Sequence, residues 1–405
     1  MRKSRWKLGI SIQTEPILYQ LVAPNMFSHR LLVVALLLSS AYANAQPFNV
    51  GTRSISFYDP GRDRDLPCVV HYPAISGGED APIEAGVFPV LIHGHGFVMT
   101  VDAYTNLRDG FVPRGYILVL PTTEGGFSPA HATFGADLSF LALAMQAANE
   151  EPLSPFFGHV APATALMGHS MGGGASMLAA AGNTSIQAVV NFAAAETNPS
   201  AINVSASIDV PTLVFAATED CITPPDANQR PMYDAVPVSC KAYVNVVGGG
   251  HCNFASSSFT CSFGELTCGP DLTITREEQH DVTIDLAGLW LDHFLRDDVS
   301  ALTAFRDSLV QSTRVIGEHT CLTTALLDRD IPALTLAPVP ASDLLTVSNL
   351  PAGARYRAVD ASGRAVLAGT FAGVPLDVST LEPGSYTLIV ISGSGLVSRV
   401  FCIMR

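Results

Sequence analysis

A serine between two glycines is the strongest chemical signal in the sequence. Ser170 lies in the run Gly168-His-Ser-Met-Gly172, which follows a short apolar stretch and precedes an alanine-rich segment of helical character. This Gly-x-Ser-x-Gly pattern predicts a strand, a sharp turn and a helix, with the serine hydroxyl at the tip of the turn. The amide of Met171, at the start of the helix, is then placed to stabilise a developing oxyanion. A glycine-rich turn that happens to contain a serine is the alternative.

A nucleophilic serine needs a base that accepts its proton and a carboxylate that orients the base. In sheets with such a turn, the order along the chain is serine, acid, histidine, each at the end of a strand. Asp220 follows one predicted strand and His251 follows the next. We therefore expect Ser170, Asp220 and His251 to act together. Glu219 and Asp226 are rival acids, and Asp220 is preferred because it stands directly where its strand ends.

A second glycine-rich loop, Gly94-His-Gly-Phe97, follows another predicted strand. In this kind of fold that loop supplies the second oxyanion donor, which we assign to the Phe97 amide. A phosphate-binding loop would continue into a Lys-Ser or Lys-Thr pair, which is missing here. His93, His95 and His169 flank these turns, and we expect them to pack and shape the loops rather than to react.

The elements that must position these residues alternate between strands and helices, which predicts an α/β fold with a mostly parallel sheet flanked by helices. Strands are predicted within residues 54–74 and at 88–93, 115–121, 186–192, 211–217 and 241–247. The strand at 241–247 is expected to be the last of this sheet. Helices are predicted at 134–146 and 284–295.

The composition changes beyond about residue 327. A proline-punctuated linker is predicted at 329–340, and short alternating strands separated by Gly, Pro and Asp turns follow it. This pattern predicts a catalytic domain over 46–328 and a small all-β sandwich over 341–405. The small domain carries no acid–base cluster and is expected to be an accessory module.

Composition restricts the class of protein further. The chain has 405 residues, of which 48% are hydrophobic and 14% charged, so it can bury a sizeable core. Its net charge of −14 argues against nucleic-acid partners. Residues 1–45 contain a basic start, an eight-residue apolar run and an Ala-x-Ala site, which predict a signal peptide. Met26 is a candidate for the true start.

Eight cysteines in an exported chain indicate a disulfide framework. No Cys-x-x-Cys or His-x-x-x-His spacing points to a metal, and we expect no cofactor. Cys221 and Cys252 directly follow the expected acid and base, so contact between those groups would bring the two cysteines into bridging range. We expect that bridge, and as weaker expectations Cys261 with Cys268 and Cys240 with Cys321. A buried thiol is expected at Cys68.

Residues 50–300 resemble the α/β-hydrolase superfamily, in the branch of dienelactone hydrolases, chlorophyllases and cutinase-like polyester hydrolases. The matching pieces are His-Gly-His-Gly-Phe (93–97), Gly-Tyr-Ile-Leu-Val-Leu-Pro (115–121), Gly-His-Ser-Met-Gly-Gly-Gly (168–174), Val-Pro-Thr-Leu-Val-Phe-Ala with Glu-Asp (210–220) and Gly-Gly-Gly-His (248–251). The resemblance implies a triad of Ser170, Asp220 and His251, and oxyanion amides at Phe97 and Met171. It further implies substrate contacts at Gly96, Phe97, His169, Met171 and Ala195.

Two departures narrow that resemblance. A dienelactone hydrolase would have cysteine in place of Ser170. The polyester hydrolases usually carry a tryptophan after the strand that follows the nucleophile, where this chain has Ala193-Ala-Ala195. An aromatic polyester is therefore not the expected preferred substrate.

The C-terminal module resembles the type A sorting domain of the type IX secretion system. The matching pieces are Ala-Pro-Val-Pro-Ala-Ser-Asp-Leu-Leu-Thr-Val (337–347), Val-Asp-Ala-Ser-Gly-Arg (359–364) and Leu-Asp-Val-Ser-Thr-Leu-Glu-Pro-Gly-Ser-Tyr (376–386). The resemblance implies contact with that secretion machinery. A carbohydrate-binding sandwich is the rival interpretation.

Together these features predict a secreted or cell-surface serine esterase that acts on external esters, lipids or polyesters. We expect it to be a monomer. A serine amidase or peptidase with the same three groups is one alternative. A hydrolase-like fold retained as a non-catalytic surface binding protein is the other.

Overall fold

The computed structural model describes residues 47–321, 334–350, 353–360, 365–392 and 395–405. The signal peptide predicted at 1–45 and the domain junction predicted near residue 328 lie outside these ranges. None of the helices among the described residues combines the length and apolar character that a bilayer crossing requires.

Within residues 47–321, ten strands form one sheet. They are Asn49–Asp59 (β1), Arg64–Ala74 (β2), Gly78–Glu79 (β3), Phe88–Gly94 (β4), Ile117–Pro121 (β5), Val160–His169 (β6), Ala188–Phe192 (β7), Thr212–Ala217 (β8), Lys241–Val246 (β9) and Val315–His319 (β10). Their spatial order is β10-β9-β8-β7-β6-β4-β5-β2-β1-β3. The run from β9 to β5 is parallel, whereas β10, β2 and β1 each pair antiparallel with a neighbour.

Eight α-helices accompany this sheet in the same described range. They are Thr105–Phe111 (α1), His131–Glu150 (α2), Met171–Ala180 (α3), Ala201–Ser205 (α4), Gln229–Ala235 (α5), Phe259–Leu266 (α6), Arg276–Arg296 (α7) and Val299–Gln311 (α8). The longest of them, α7, begins with a capping box in which Thr275 and Glu278 each bond the other's backbone amide.

The helices cover both faces of the sheet, and alternate residues of each strand enter two separate cores. On β4, Leu91 packs in one core with α1 and α7, while Val90 and Ile92 pack in the other with α2 and α3. The interior of the first core is filled by Trp290, which is fully buried against Phe305. The predicted α/β fold with a mostly parallel sheet is confirmed, and it agrees with an α/β-hydrolase architecture.

Two expectations about this sheet need correction. The strand predicted as the last one, β9, is followed by β10, which pairs antiparallel along its outer side. Three of the five residues of β10 are exposed, so its sequence lacks the apolar alternation that marks a strand. The helix predicted at 284–295 begins eight residues earlier, because its first turns are polar and capped rather than apolar.

The C-terminal described residues form two small antiparallel sheets around their own apolar core. Their strands are Thr335–Ala337 (β11), Leu344–Ser348 (β12), Arg355–Val359 (β13), Ala365–Thr370 (β14), Leu376–Asp377 (β15), Gly384–Ser392 (β16) and Gly395–Ile403 (β17). The all-β character predicted for this module is confirmed. Within the linker predicted at 329–340, Thr335–Ala337 forms β11 and pairs with β12, and the domain bounds stay a prediction.

Candidate active site

The turn around Ser170 has the strained geometry that the glycine pattern predicts. Strand β6 ends at His169, helix α3 begins at Met171, and Ser170 between them has φ = 55° and ψ = −121°. A positive φ is costly for a residue with a side chain, and the surrounding hydrogen bonds hold it in place. The Ser170 amide donates to Phe192 O at 3.0 Å, and Ser170 O accepts the Ala195 amide at 2.8 Å.

The start of α3 packs backbone against backbone on the loop that follows β4. A Cβ built on Gly172 would overlap the Gly94 carbonyl and lie 2.6 Å from the His95 carbonyl oxygen. Only glycine permits this approach. The contact brings the first turn of α3 beside the loop that leads to Phe97.

The amides of Phe97 and Met171 are the expected oxyanion donors. Among the described residues neither amide donates a hydrogen bond within the protein. Met171 is the first residue of α3, where the amide has no partner in its own helix. Both amides are therefore free to bind an external oxygen.

His251 and Asp220 form a buried pair at the ends of two neighbouring strands, β9 and β8. His251 Nδ1 lies 2.8 Å from Asp220 Oδ2, and both residues are almost fully buried. Because a carboxylate oxygen accepts, Nδ1 carries the proton and Nε2 is left as an acceptor. The rival acids do not share this place: Glu219 accepts the Thr218 hydroxyl, and Asp226 is exposed.

Thr223, which the sequence did not predict for this site, contacts both His251 and Asp220. Thr223 Oγ1 lies 3.0 Å from His251 Nδ1 and donates to Asp220 Oδ2 at 2.8 Å. The Thr223 amide donates to Asp220 Oδ1 at 2.7 Å, and the Ile222 amide donates to the same oxygen at 3.0 Å. The carboxylate thus accepts four hydrogen bonds, which fix its orientation. The only sequence signal for Thr223 is that it lies three residues after the acid, within a tight turn.

The loop before His251 is held by a second missed residue. The Gln279 side chain on α7 accepts the Gly250 amide at 3.0 Å and donates to Gly250 O at 2.9 Å. Two hydrogen bonds from one buried amide fix the backbone immediately before the imidazole. Nothing in the sequence around Gln279 distinguishes it from any other polar helix residue.

Ser170 and His251 open onto the same small pocket, of about 120 Å³. Its lining includes the apolar side chains of Phe97, Met99 and Ile222, together with Thr260, Cys261 and Gly264 of α6. Among the residues that line the pocket, only Ser170 and His251 carry groups suited to proton transfer or nucleophilic attack. Ser170 and His251 thus share one pocket, and Asp220 is bonded to His251, while the roles assigned to the three residues stay a prediction.

His169 does not lie in this pocket, and its expected substrate contact needs correction. The imidazole is fully buried, with Nε2 donating to His251 O at 3.1 Å and Nδ1 accepting from Tyr104 Oη at 3.2 Å. Tyr104 Oη also accepts the Gly96 amide at 2.7 Å. Burial, and next the nearby His251, lower the pKa of His169 well below 6.5, so it stays neutral. It is a structural link between two loops.

The remaining predicted contacts lie around the pocket rather than in its lining. Gly96 is buried, and its amide is already bonded to Tyr104. The Met171 side chain is buried beneath the turn, and Ala195 is half-buried beside Ser170 O. Of the five residues expected to contact substrate, Phe97 alone presents its side chain to the pocket.

The expected Cys221–Cys252 bridge is wrong. Cys221 bonds Cys268 and Cys252 bonds Cys261, so the expected Cys261–Cys268 bridge is wrong as well. Although Asp220 and His251 touch, the side chains that follow them point toward α6, because successive side chains leave the backbone in different directions.

The other cysteine expectations are confirmed. Cys240 bonds Cys321, since the antiparallel pairing of β9 and β10 places the start of one strand beside the end of the other. Cys68 is a free buried thiol, and burial raises its pKa to about 12. Within the described residues no cluster of His, Cys, Asp and Glu side chains is arranged to hold a metal ion.

Comparison with known proteins finds similarity over the central part of the chain. Residues 91–266 match a family model described as PET hydrolase-like. That range includes Ser170, Asp220 and His251. The resemblance to cutinase-like polyester hydrolases is thereby supported for this region.

Curated relatives match a shorter segment. Cutinase 2 of Thermobifida cellulosilytica is 36% identical over 89 residues, which cover 22% of this chain and 32% of that cutinase. Cutinase cut1 of Thermobifida fusca is also 36% identical over 89 residues, covering 22% of this chain and 26% of that protein. Cutinase est1 of Thermobifida alba is 35% identical over the same length. The matched segment spans a third or less of each of these relatives.

Proposed function

We propose that the protein is a carboxylic ester hydrolase that works through an acyl-enzyme on Ser170. The observation that supports this most is the buried His251–Asp220 pair, whose free imidazole edge opens onto the pocket that also holds Ser170. The PET hydrolase-like match and the cutinase relatives favour ester substrates over amides. They also favour an enzyme over a non-catalytic binding protein.

The chemistry follows from the proton positions. Ser170 Oγ attacks the ester carbonyl carbon while His251 Nε2 accepts its proton, and Asp220 and Thr223 stabilise the resulting imidazolium through Nδ1. The carbonyl oxygen becomes an oxyanion, which the Phe97 and Met171 amides bind. His251 then gives the proton to the departing alkoxide, leaving the acyl group on Ser170. Water repeats the sequence, releases the acid and restores the serine.

The size of the pocket favours short acyl groups. A volume of about 120 Å³ is well below the several hundred Å³ that enclose a drug-sized ligand. A short acyl group, or one segment of a polyester with its chain running out of the pocket, fits this space. The lining by Phe97, Met99 and Ile222 suits an apolar acyl group.

The direct test is Ser170→Ala, assayed on p-nitrophenyl butyrate and with a fluorophosphonate probe. We expect kcat to fall by about 10³–10⁶-fold, as when a nucleophile is removed from such a group. Probe labelling should disappear with it. Ser154→Ala changes a distant hydroxyl that accepts only a local amide, and it should react and label like the wild type.

An unchanged rate in Ser170→Ala, with an unchanged melting temperature, would overturn the assignment. Asp220→Asn separates the acid from its rivals, because it keeps the shape but loses the charge that holds the imidazole. If Glu219→Gln instead caused the larger loss of kcat, the acid would be misassigned. Esters and amides of equal size, compared in parallel, would show whether amides are the better substrates.

We also propose that the enzyme works outside the cell. Three disulfides among the described residues fit an oxidising compartment. The segment 1–45 serves as signal peptide, 46–328 as catalytic domain and 341–405 as the sorting module for type IX secretion. Mass spectrometry of the protein from the medium should find an N-terminus at Gln46, and light scattering should find a monomer. A mature chain that retains residues 1–45 would contradict export by this route.

A further inference from the structure

Helix α6 carries a stripe of large apolar side chains that face water. Phe259, Phe263 and Leu266 are spaced at i, i+4 and i+7, so they share one face of the helix. Their exposed fractions are 84%, 61% and 79%, and the two rings stack with centroids 6.3 Å apart. Single exposed apolar residues are ordinary, whereas an adjoining set on one short helix marks an interaction surface.

The α6 stripe is fixed in position rather than free to swing. Cys261 within α6 bonds Cys252, and Cys268 just after α6 bonds Cys221. Between these bridges, the buried Glu265 accepts the Cys252 amide at 2.8 Å. The helix is thus tied at both ends to the loops that carry His251 and Asp220. Because α6 is held in this way, the α6 stripe keeps a constant distance from the pocket.

The same helix borders the pocket that holds Ser170. Thr260, Cys261 and Gly264 line that pocket from one side. Phe97, which also lines the pocket, is half exposed, and its ring contacts the exposed Phe127 ring with centroids 6.4 Å apart. Exposed apolar side chains therefore lie near the pocket both on α6 and around Phe97.

Charge decides what kind of partner this surface fits. Between residues 252 and 270 the only ionisable side chain apart from the bridged cysteines is Glu265, which is buried. With no lysine or arginine there, the stripe has nothing to attract the phosphates of an anionic membrane. The partner that fits is uncharged and apolar. A polyester segment fits the small pocket with its chain continuing outside.

We propose that the α6 stripe docks the enzyme on the uncharged surface of a solid aliphatic polyester. This inference rests on the proposed function, and it adds the place and the mode of substrate capture. The stripe contacts the polymer beside the scissile ester without entering the pocket. Soluble esters reach Ser170 without using it, so the stripe governs adsorption and leaves the chemistry untouched.

The test is the triple variant Phe259→Ser, Phe263→Ser and Leu266→Ser. We expect adsorption to polyester particles, and release of soluble products from polyester film, to fall about tenfold or more. The reason is that the apolar area of three side chains is lost from the contact. The kcat and KM for p-nitrophenyl butyrate should stay within about twofold of wild type. The matched control is Leu153→Ser, which removes a side chain 93% exposed outside α6 and should change none of these values.

Adsorption is measured in a Ser170→Ala background, so that docking is tested even if the assignment of the nucleophile fails. Equal adsorption with and without the stripe would overturn the proposal. Loss of binding to phosphatidylcholine or phosphatidylglycerol vesicles, with polyester binding intact, would assign the stripe to lipid and overturn it too. So would a wild-type dimer that becomes a monomer in the triple variant, because a second copy would then cover the stripe.

Discussion

Replacing Tyr104 by phenylalanine removes one buried oxygen and, with it, the link between two loops of the site. Tyr104 Oη accepts the Gly96 amide at 2.7 Å and donates to His169 Nδ1 at 3.2 Å. His169 Nε2 in turn donates to His251 O. Burial raises the pKa of Tyr104, so the hydroxyl keeps its proton at any working pH. The loop of Phe97 and the backbone of His251 are thus joined through one hydroxyl.

The expected cost can be worked out from what the variant leaves behind. An amide at Gly96 and an imidazole nitrogen at His169 remain buried without partners. Each such group costs about 1–3 kcal/mol, so Tyr104→Phe should lower the free energy of unfolding by about 2–6 kcal/mol. That is a large part of the roughly 5–15 kcal/mol that stabilises a typical domain. On the proposed mechanism, kcat/KM should also fall, because both the oxyanion loop and the base lose support.

Urea denaturation at pH 7 measures the free energy of unfolding, with Tyr116→Phe as the matched control. Tyr116 is equally buried, but its hydroxyl donates to Asp292, whose side chain is 27% exposed and also bonds Arg296. Its loss leaves no orphaned buried group and should cost only about 1–2 kcal/mol. If Tyr104→Phe costs no more than Tyr116→Phe, the link through His169 does not hold the two loops. A retained kcat/KM in folded Tyr104→Phe would further separate the link from the chemistry.

Two further predictions concern stability. Burial lowers the pKa of His71 to about 4 and that of His93 to about 3, while the unfolded chain takes up these protons near pH 6.5. The free energy of unfolding should therefore fall by about 2 kcal/mol per buried histidine as the pH drops from 7 to 5. In His93→Leu the free energy of unfolding, measured in urea, should depend less steeply on pH across that range. Removing the Cys240–Cys321 bridge, which spans 81 residues, should cost about 4.5 kcal/mol, against about 2.6 kcal/mol for Cys252–Cys261, which spans 9. If non-reducing denaturation showed a larger cost for removing Cys252–Cys261 than for removing Cys240–Cys321, the loop-length argument would be contradicted.

The parts of the site that the sequence predicts are those set by local backbone chemistry. The Ser170 turn needs glycines on both sides, and Asp220 and His251 each follow an apolar strand, so pattern and order suffice to find them. Thr223 and Gln279 reach the site through tertiary contacts, and no local signal marks a polar residue that will bond a distant backbone. For His169 the residues alone predict packing rather than reaction, in agreement with its full burial, whereas the family resemblance implied a substrate contact that is not formed in the pocket.

The predicted Cys221–Cys252 and Cys261–Cys268 bridges are wrong for a related reason. Cys221 and Cys252 lie next to residues that touch, but neighbouring positions along a chain do not share a direction. The true pairs depend on α6, which was not predicted, although Ser258 caps it and Phe259, Phe263 and Leu266 have helical spacing. With α6 unplaced, the positions of Cys261 and Cys268 could not be derived.

The backbone contact between Gly172 and Gly94 limits where the proposed active site can change. Where two main chains touch with no room for a methyl group, a side chain at either glycine would push the Ser170 turn and the Phe97 loop apart. Variation is easier among the side chains that line the pocket, where Ile222, Thr260 and the ring of Phe97 can be exchanged while the backbone amides of Phe97 and Met171 stay in place. On the proposed function, any broadening of the acyl groups accepted, by natural drift or by directed selection, would start from these lining side chains.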